Sequence, residues 1–472
     1  MNGSRRNAPA AAAPARRLFS KTLRFVPAAV GLAVPFIFHF EGLSPAGHHA
    51  LAIFLVAASL WILEPVPLYA TAVLIFLLEI LFLSDKGFFR IEGAIPYRTL
   101  LHPLSSPLIV LFLGGFALAD ASRKFGLDRE LAQLMLKPFG SRPRVILLGV
   151  MLITAAFSAF MSNTACTAMM MAVVFPAMAS LDADDKLRVA LALAVPFAAN
   201  IGGMATPIGT PPNAVALGGL AKLGIELTFF DWVKLALPFT LVMLAVVWAV
   251  LALFFPPKAE SVRLSFGSGG ERGPARKLVY IVFAATVLLW ITGKWHGIPD
   301  GVVALLPVAV FAMAKVLSPR EFNSLSWDIL WLIAGGLALG VGMQKTGLTH
   351  WMLSLVPFSD LPWWGVVGAF CAGTLALSTF MSNTATSNLF VPLAVGLASS
   401  ASGGGLELLV ALGLASSLAM SLPISTPPNA IAYSTGLIST RDMAKGGIVI
   451  GVTGLLLLVF ANRFLWHALG LV

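Results

Sequence analysis

Phe160-Met161-Ser162-Asn163-Thr164-Ala165 lies in the middle of an apolar stretch running from about 145 to 180, and it recurs as Phe380-Met381-Ser382-Asn383-Thr384-Ala385 in a second stretch, about 364 to 399. Each stretch is too long for one membrane helix, which takes about 20 residues, and each is broken at its centre by three polar residues. Both read as re-entrant hairpins with Ser-Asn-Thr at the tip. Other repeats flank them. Gly114-Gly115-Phe116-Ala117-Leu118 through Gly126-Leu127 corresponds to Gly335-Gly336-Leu337-Ala338-Leu339 through Gly347-Leu348, an offset of 221 against 220 for the hairpin motif. Thr210-Pro211-Pro212-Asn213-Ala214 returns as Thr426-Pro427-Pro428-Asn429-Ala430 at an offset of 216. Three motifs in one order across two halves define an internal repeat.

Composition fixes the solvent. Of 472 residues, 58% are hydrophobic and 11% charged, with a mean hydropathy of +0.90, whereas soluble domains carry about a quarter charged residues. Apolar runs long enough to cross a ~30 Å hydrocarbon core recur from end to end, and helices satisfy their own backbone as lipid demands. A closed barrel would show segments of about ten residues with alternating polarity, which are missing. The expected fold class is an all-α polytopic membrane protein with about 11 transmembrane helices plus the two hairpins. The spans fall near 24 to 40, 49 to 64, 67 to 83, 105 to 122, 188 to 218, 235 to 256, 278 to 294, 300 to 317, 327 to 344, 407 to 437 and 446 to 468.

The net charge of +10 sits in short loops and in a tail carrying Arg5, Arg6, Arg16, Arg17, Lys21 and Arg24, as in the cytoplasmic segments of membrane proteins, so nucleic acid is not an expected partner. Transit peptides share the acid-free, Ala- and Arg-rich character of this region, but a retained basic tail is the simpler expectation. Basic loops at 123 to 144, 258 to 277, 315 to 320 and 441 to 445 then place the N-terminus in the cytoplasm and the C-terminus outside, in a membrane of the bacterial inner type. The segment 85 to 102, outside despite Lys86, Arg90 and Arg98, fits least well. The resulting division is a tail at 1 to 23, a first repeat at 24 to 256 and a Gly-rich cytoplasmic linker at 257 to 277. A second repeat fills 278 to 472. The first repeat holds hairpin 145 to 180 and broken helix 188 to 218, the second hairpin 364 to 399 and broken helix 407 to 437. About five spans separate the hairpins, and an odd number sends them in from opposite faces, so the repeats are inverted.

Two consecutive prolines in an apolar span remove backbone donors and leave carbonyls unpaired, which at membrane depth requires a cavity or a ligand. Such carbonyls suit Na+, and helix halves restarting nearby direct N–H groups at a carboxylate. A single Ser-Asn-Thr would be ordinary interhelical glue. Two copies in register with two Thr-Pro-Pro-Asn breaks point instead to a binding site. None of the motifs contains Lys, Arg or His, so bound cations must neutralise an anionic substrate, which couples the two. Two tips suggest two anionic ends, as in a C4 dicarboxylate such as succinate, malate or fumarate, with sulfate or a tricarboxylate as alternatives.

Ser162-Asn163-Thr164 with Ser382-Asn383-Thr384, and Gly209-Thr210-Pro211-Pro212-Asn213 with Ser425-Thr426-Pro427-Pro428-Asn429, resemble the paired signatures of the divalent anion:sodium symporter family over nearly the whole chain. The resemblance implies a homodimer whose protomers pair a scaffold with a transport unit that moves as an elevator, the hairpins and broken helices travelling with the substrate. It implies one Na+ held by Ser158, Ser162, Asn163 and the backbone around Gly209, and a second by Ser378, Ser382, Asn383 and the backbone around Ser425. Substrate would lie against Asn163, Thr164, Thr210, Asn383, Thr384, Thr426 and Pro427. The family often has Thr where this chain has Ser378, and either hydroxyl can coordinate.

Na+-independent exchange on the same fold is the main alternative. An open channel fits paired hairpins less well than alternating access, and the breaks hold no dyad, paired carboxylates or metal cluster that an enzyme would need. Glu64, Asp120, Glu407 and His39 fall near predicted span ends, where capping or snorkelling is usual, whereas Glu79 lies deeper. Cys166 and Cys371 imply no disulfide. Trp61, Trp290, Trp295, Trp327, Trp331, Trp363, Trp364 and Trp466 are expected in interfacial belts.

Overall fold

Proline and small polar residues set most of the helix starts. In the computed structural model, described for residues 23–89, 91–262, 273–356, 358, 361–400, 404–461, 464 and 466, the chain is helical with one isolated bridge, Ser84 to Ile95. The basic tail, Arg90 and the centre of the Gly-rich linker lie outside the described residues. The first half runs α1 (Val26–Ile37), α2 (Pro45–Leu63), α3 (Leu68–Leu83), α4 (Tyr97–Leu101), α5 (Pro107–Lys124), α6 (Leu127–Leu136), α7 (Pro143–Ser158), α8 (Asn163–Ser180), α9 (Leu187–Gly202), α10 (Pro211–Lys222) and α11 (Phe229–Phe254). The second runs α12 (Pro274–Ile291), α13 (Gly293–His296), α14 (Asp300–Val303), α15 (Leu305–Met313), α16 (Pro319–Asn323), α17 (Trp327–Lys345), α18 (Leu348–Ser354), α19 (Trp363–Phe380), α20 (Asn383–Ser400), α21 (Gly405–Ser416), α22 (Pro427–Ser434) and α23 (Thr440–Leu456).

Among the described residues, eight helices are long and apolar enough to cross a membrane. Five apolar helices are shorter, α1, α3, α7, α21 and the segment Asp300–Met313 among them. The shortfall has a local cause where the chain breaks. In α21–α22 one apolar run is divided into two half-helices and neither reaches full length, whereas in the first break the part before it, Leu187–Ala205, is still long enough to span and only α10 falls short.

The two halves interlock through glycine. A Cβ on Gly114 would collide with the backbone of Ala304, and one on Gly335 would meet Ala72, so α5 packs on α14–α15 of the other half and α17 packs on α3. Only glycine lets helix axes approach this closely. The broken helices exchange partners in the same way. Half-helix α10 packs on α20 and α21, and α22 packs on α8 and α9. Helix α9 is the centre of the largest apolar cluster, buried from Leu187 to Gly202 apart from Arg188 and Val189.

Tryptophan behaves differently from the belt expectation. Trp295 and Trp364 are exposed, but Trp61, Trp290 and Trp466 are completely enclosed. Each donates its indole N–H to a carbonyl, of Leu68, Asp300 and Leu235 respectively, which makes burial of the large ring tolerable.

Candidate functional site

Chemistry at the first break begins with a serine that has one proton and two acceptors. Ser158, fully buried at the end of α7, lies 2.8 Å from Ala199 O and 2.7 Å from Asn163 Oδ1. A hydroxyl donates once, so one of these contacts joins two oxygens with no hydrogen between them. The same Asn163 amide end also lies 3.1 Å from Gly209 O. Either the amide turns its nitrogen to these oxygens, or a cation sits among them and the amide oxygen becomes a fourth ligand. The second half repeats the arrangement, with Ser378 Oγ 2.9 Å from Asn383 Oδ1 and 2.9 Å from Ser416 O. The donors are hydroxyl, amide and carbonyl oxygens, the set that unwound transporter helices present to alkali cations, and they fit Na+. Among the described residues no cluster of three or more His, Cys, Asp or Glu could hold a different metal.

The prolines do a different job from the one their sequence suggests. Pro211 and Pro212, like Pro427 and Pro428, occupy the first turn of α10 and α22, where an N–H would be unpaired anyway. They start the second half-helix. The freed carbonyls lie upstream, in the loops 203 to 210 and 419 to 426. Asn213, 0% exposed, returns its amide nitrogen to Thr206 O (2.7 Å), Gly203 O (3.0 Å) and Met204 O (3.3 Å). Asn429 does the same for Leu422 O at 3.0 Å. Each loop is also strapped to its hairpin, Thr206 Oγ1 donating to Ala159 O and Ser425 Oγ to Thr379 O at 2.7 Å.

The candidate residues divide accordingly. Ser158, Asn163 and Gly209 converge, as do Ser378 and Asn383, while Ser425 ties the second loop to α19. Ser162 is the N-cap of α8, accepting from Ala165 N at 3.2 Å, and Ser382 O accepts from Thr386 N. Thr426 caps α22 and accepts from Asn200 Nδ2 at 3.2 Å. Thr210 is buried with no side-chain cap bond. The tips are unequal: Thr164 is exposed and Thr384 buried, and Pro427 is exposed. Beside the first tip, a polar cavity of about 170 Å³ reaches Ser162 and Ala165 from Asp120 and Arg123, which pair at 2.8 Å.

Three residues that carry this geometry were not singled out from the sequence. Asn213 and Asn429 were present only as letters in the repeated motif. Asn200, 1% exposed, joins the halves by donating to Thr426 Oγ1 and Asn429 Oδ1. Its signal was a lone amide in the apolar run of α9.

A helical membrane transporter, not an enzyme, is the class defined by two interlocked halves with paired helix breaks and neutral oxygen clusters, and comparison with known proteins agrees. The chain belongs to the sodium:sulfate symporter family, whose transmembrane region matches residues 20–472. It is 30% identical to a transporter of Haemophilus influenzae over 89% of this chain and 92% of that one. It is also 30% identical to the sodium-dependent dicarboxylate transporter SdcS of Staphylococcus saprophyticus, covering 91% and 88% of the two chains. A sodium-dependent high-affinity dicarboxylate transporter of Caenorhabditis elegans is 29% identical over 86% of this chain and 80% of that one. The crystal structure of the Alcanivorax borkumensis YdaH transporter superposes with a TM-score of 0.56 at 12% identity over 89% of this chain and 99% of that one, a likeness of fold.

Proposed function

We propose that this protein imports a small dicarboxylate, of the C4 type such as succinate, malate or fumarate, together with Na+. The observation that carries the reading is the pair of serines, Ser158 and Ser378, each fully buried and set between an asparagine amide and a helix-end carbonyl in equivalent positions of the two halves. Relatives described as sodium-dependent dicarboxylate transporters support the same choice of ion and substrate.

In this reading Ser158, Ser162, Asn163 and Gly209 serve one Na+, and Ser378, Ser382, Asn383 and Ser425 a second. Bound cations supply the positive charge that Asn163, Thr164, Thr210, Asn383, Thr384, Thr426 and Pro427 lack, so the dianion is held only after the cations. The halves act as inverted repeats, residues 24–256 and 278–472, whose hairpins enter from opposite faces. Hairpins and broken helices travel as an elevator past a scaffold that dimerises, in a bacterial inner membrane with the N-terminus inside.

Uptake of labelled succinate into proteoliposomes tests this. Uptake should rise steeply with external Na+ and be lost in Asn163→Ala and Asn383→Ala. Full uptake in choline medium that requires internal dicarboxylate would replace the symporter by an exchanger.

A further inference from the structure

Helix α17 carries Gly335, Gly336, Gly340 and Gly342 within two turns, and two charged side chains approach it from different helices. A Cβ on Gly342 would collide with Glu79 Oε1, and one on Gly340 would come within 2.7 Å of Lys222 Nζ. Glu79, on α3, is 1% exposed, and neither carboxylate oxygen has a hydrogen-bond partner. Lys222, at the end of α10, donates to Leu337 O at 3.0 Å, so an ammonium and a carboxylate of opposite charge meet the same glycine-rich stretch of α17 at Gly340 and Gly342. Next to it Asn388, on α20, donates to Leu332 O at 3.0 Å while its Oδ1 lies buried and unpartnered against Gly336.

We propose that Lys222 and Glu79 are positioning residues for transport, a charge-paired latch acting through the glycine-thinned α17 that holds the travelling unit in the position seen here. The inference rests on the elevator reading, in which α10 and α20 travel and α3 and α17 stay. A carboxylate at membrane depth without donors depends on its counter-charge, because low dielectric strengthens the attraction and penalises isolation. A shift of α10 along α17 by one helical turn, about 5.4 Å, takes the ammonium away from both Leu337 O and Glu79. The glycines leave carbonyls open on that face, so Lys222 and Asn388 hold backbone acceptors that can be released without a steric lock.

The test uses the full chain in proteoliposomes with Val215→Cys as reporter. Val215 is 1% exposed and lines the cleft between Lys222 and Gly336, and the native Cys166 and Cys371 are fully buried. Labelling by an impermeant maleimide, with and without Na+ plus succinate, is followed alongside uptake. Glu79→Gln and Lys222→Met should each raise the ligand-free labelling rate about tenfold, and the double variant should add nothing further, the signature of one shared interaction. Lys222→Arg should stay near the parent. Should a single variant fail to fold, Gly340→Ala, which presses a methyl on the ammonium, should give the same shift. A parent that responds to ligand while both singles label like it, or singles whose effects add, removes the latch alone. A parent that transports without any change in labelling removes the sliding motion and the latch with it.

Discussion

Replacing Asn213 by Ala should open the first helix break without touching its prolines. The amide nitrogen has two hydrogens and faces three carbonyls, of Thr206, Gly203 and Met204, at 2.7 to 3.3 Å in a fully enclosed position. Its loss strands at least two buried acceptors, each costing about 1 to 3 kcal/mol. Part of this is returned, because Asn213 Oδ1 is itself buried without a partner and disappears with the side chain. The net cost is about 2 to 4 kcal/mol, or roughly a 30- to 1,000-fold rise in local opening at 1.4 kcal/mol per tenfold. Hydrogen exchange followed by mass spectrometry reads this opening directly for peptides spanning 200 to 215, since local and global unfolding differ in free energy. Asn429→Ala should show a smaller effect in peptides spanning 416 to 430, because Asn429 serves the single upstream carbonyl of Leu422. Exchange in Asn213→Ala within threefold of the parent would refute the account of the break as a loop closed by its own asparagine.

Ser158→Ala and Ser378→Ala should each raise the Na+ concentration for half-maximal uptake by about tenfold or more, the size of one lost contact to a charged group, and saturating Na+ should recover most of the rate by mass action. A Na+ titration of uptake checks this, and unchanged half-saturation in both variants would remove the serines from the cation sites. Asp185, outside the spans, ties the start of α9 to the segment after α11 by accepting from the backbone N–H groups of Leu187, Lys258 and Ala259 at 2.9 to 3.1 Å. Burial pushes its carboxyl up, but those donors outweigh burial and hold it below the usual range. Its stabilisation is therefore present above the unfolded value near pH 4 and lost as the pH falls through the lower folded value. Asp185→Asn should lower thermal stability at pH 7, because one accepting oxygen becomes an NH2 facing a backbone N–H, and should flatten its pH dependence below about pH 4; scanning fluorimetry on the buried cysteines measures both.

Fold was legible because its signals are local or repeated. Apolar length marked the spans, Ser162 and Ser382 marked the points where α8 and α20 begin, and the offsets of 220 and 216 tied the halves together. The glycine pairs were readable as a repeat, yet their purpose was not, since Gly114 against Ala304 and Gly335 against Ala72 are contacts across about 190 and 260 residues of chain. The position of the prolines within each break is not legible in the sequence. A proline's missing donor is costly inside a helix and free at the first turn, and sequence alone does not say which side of the break it occupies.

The same asymmetry governs the site. Residues that stand beside the tip, such as Ser158 next to Asn163 five positions later, were reachable through the family resemblance of the hairpin motif. Residues that act across the fold were not. Asn200 matters because α22 is inserted beside α9, bringing Thr426 and Asn429 to an amide that otherwise reads as a flaw in an apolar helix. The bond network therefore runs from the first broken helix to the second through Asn200, and from each break to its hairpin through Thr206 and Ser425. In the proposed mechanism a change in either oxygen cluster would be felt at the other through these buried polar links, because a buried donor or acceptor left without its partner costs more than the original bond supplied. Cooperative binding of two cations needs such a link, and Asn200→Leu should lower the Hill coefficient for Na+ towards one while leaving each cluster's own oxygens in place. An unchanged coefficient would mean that the two breaks bind independently and that the amide only packs the halves together.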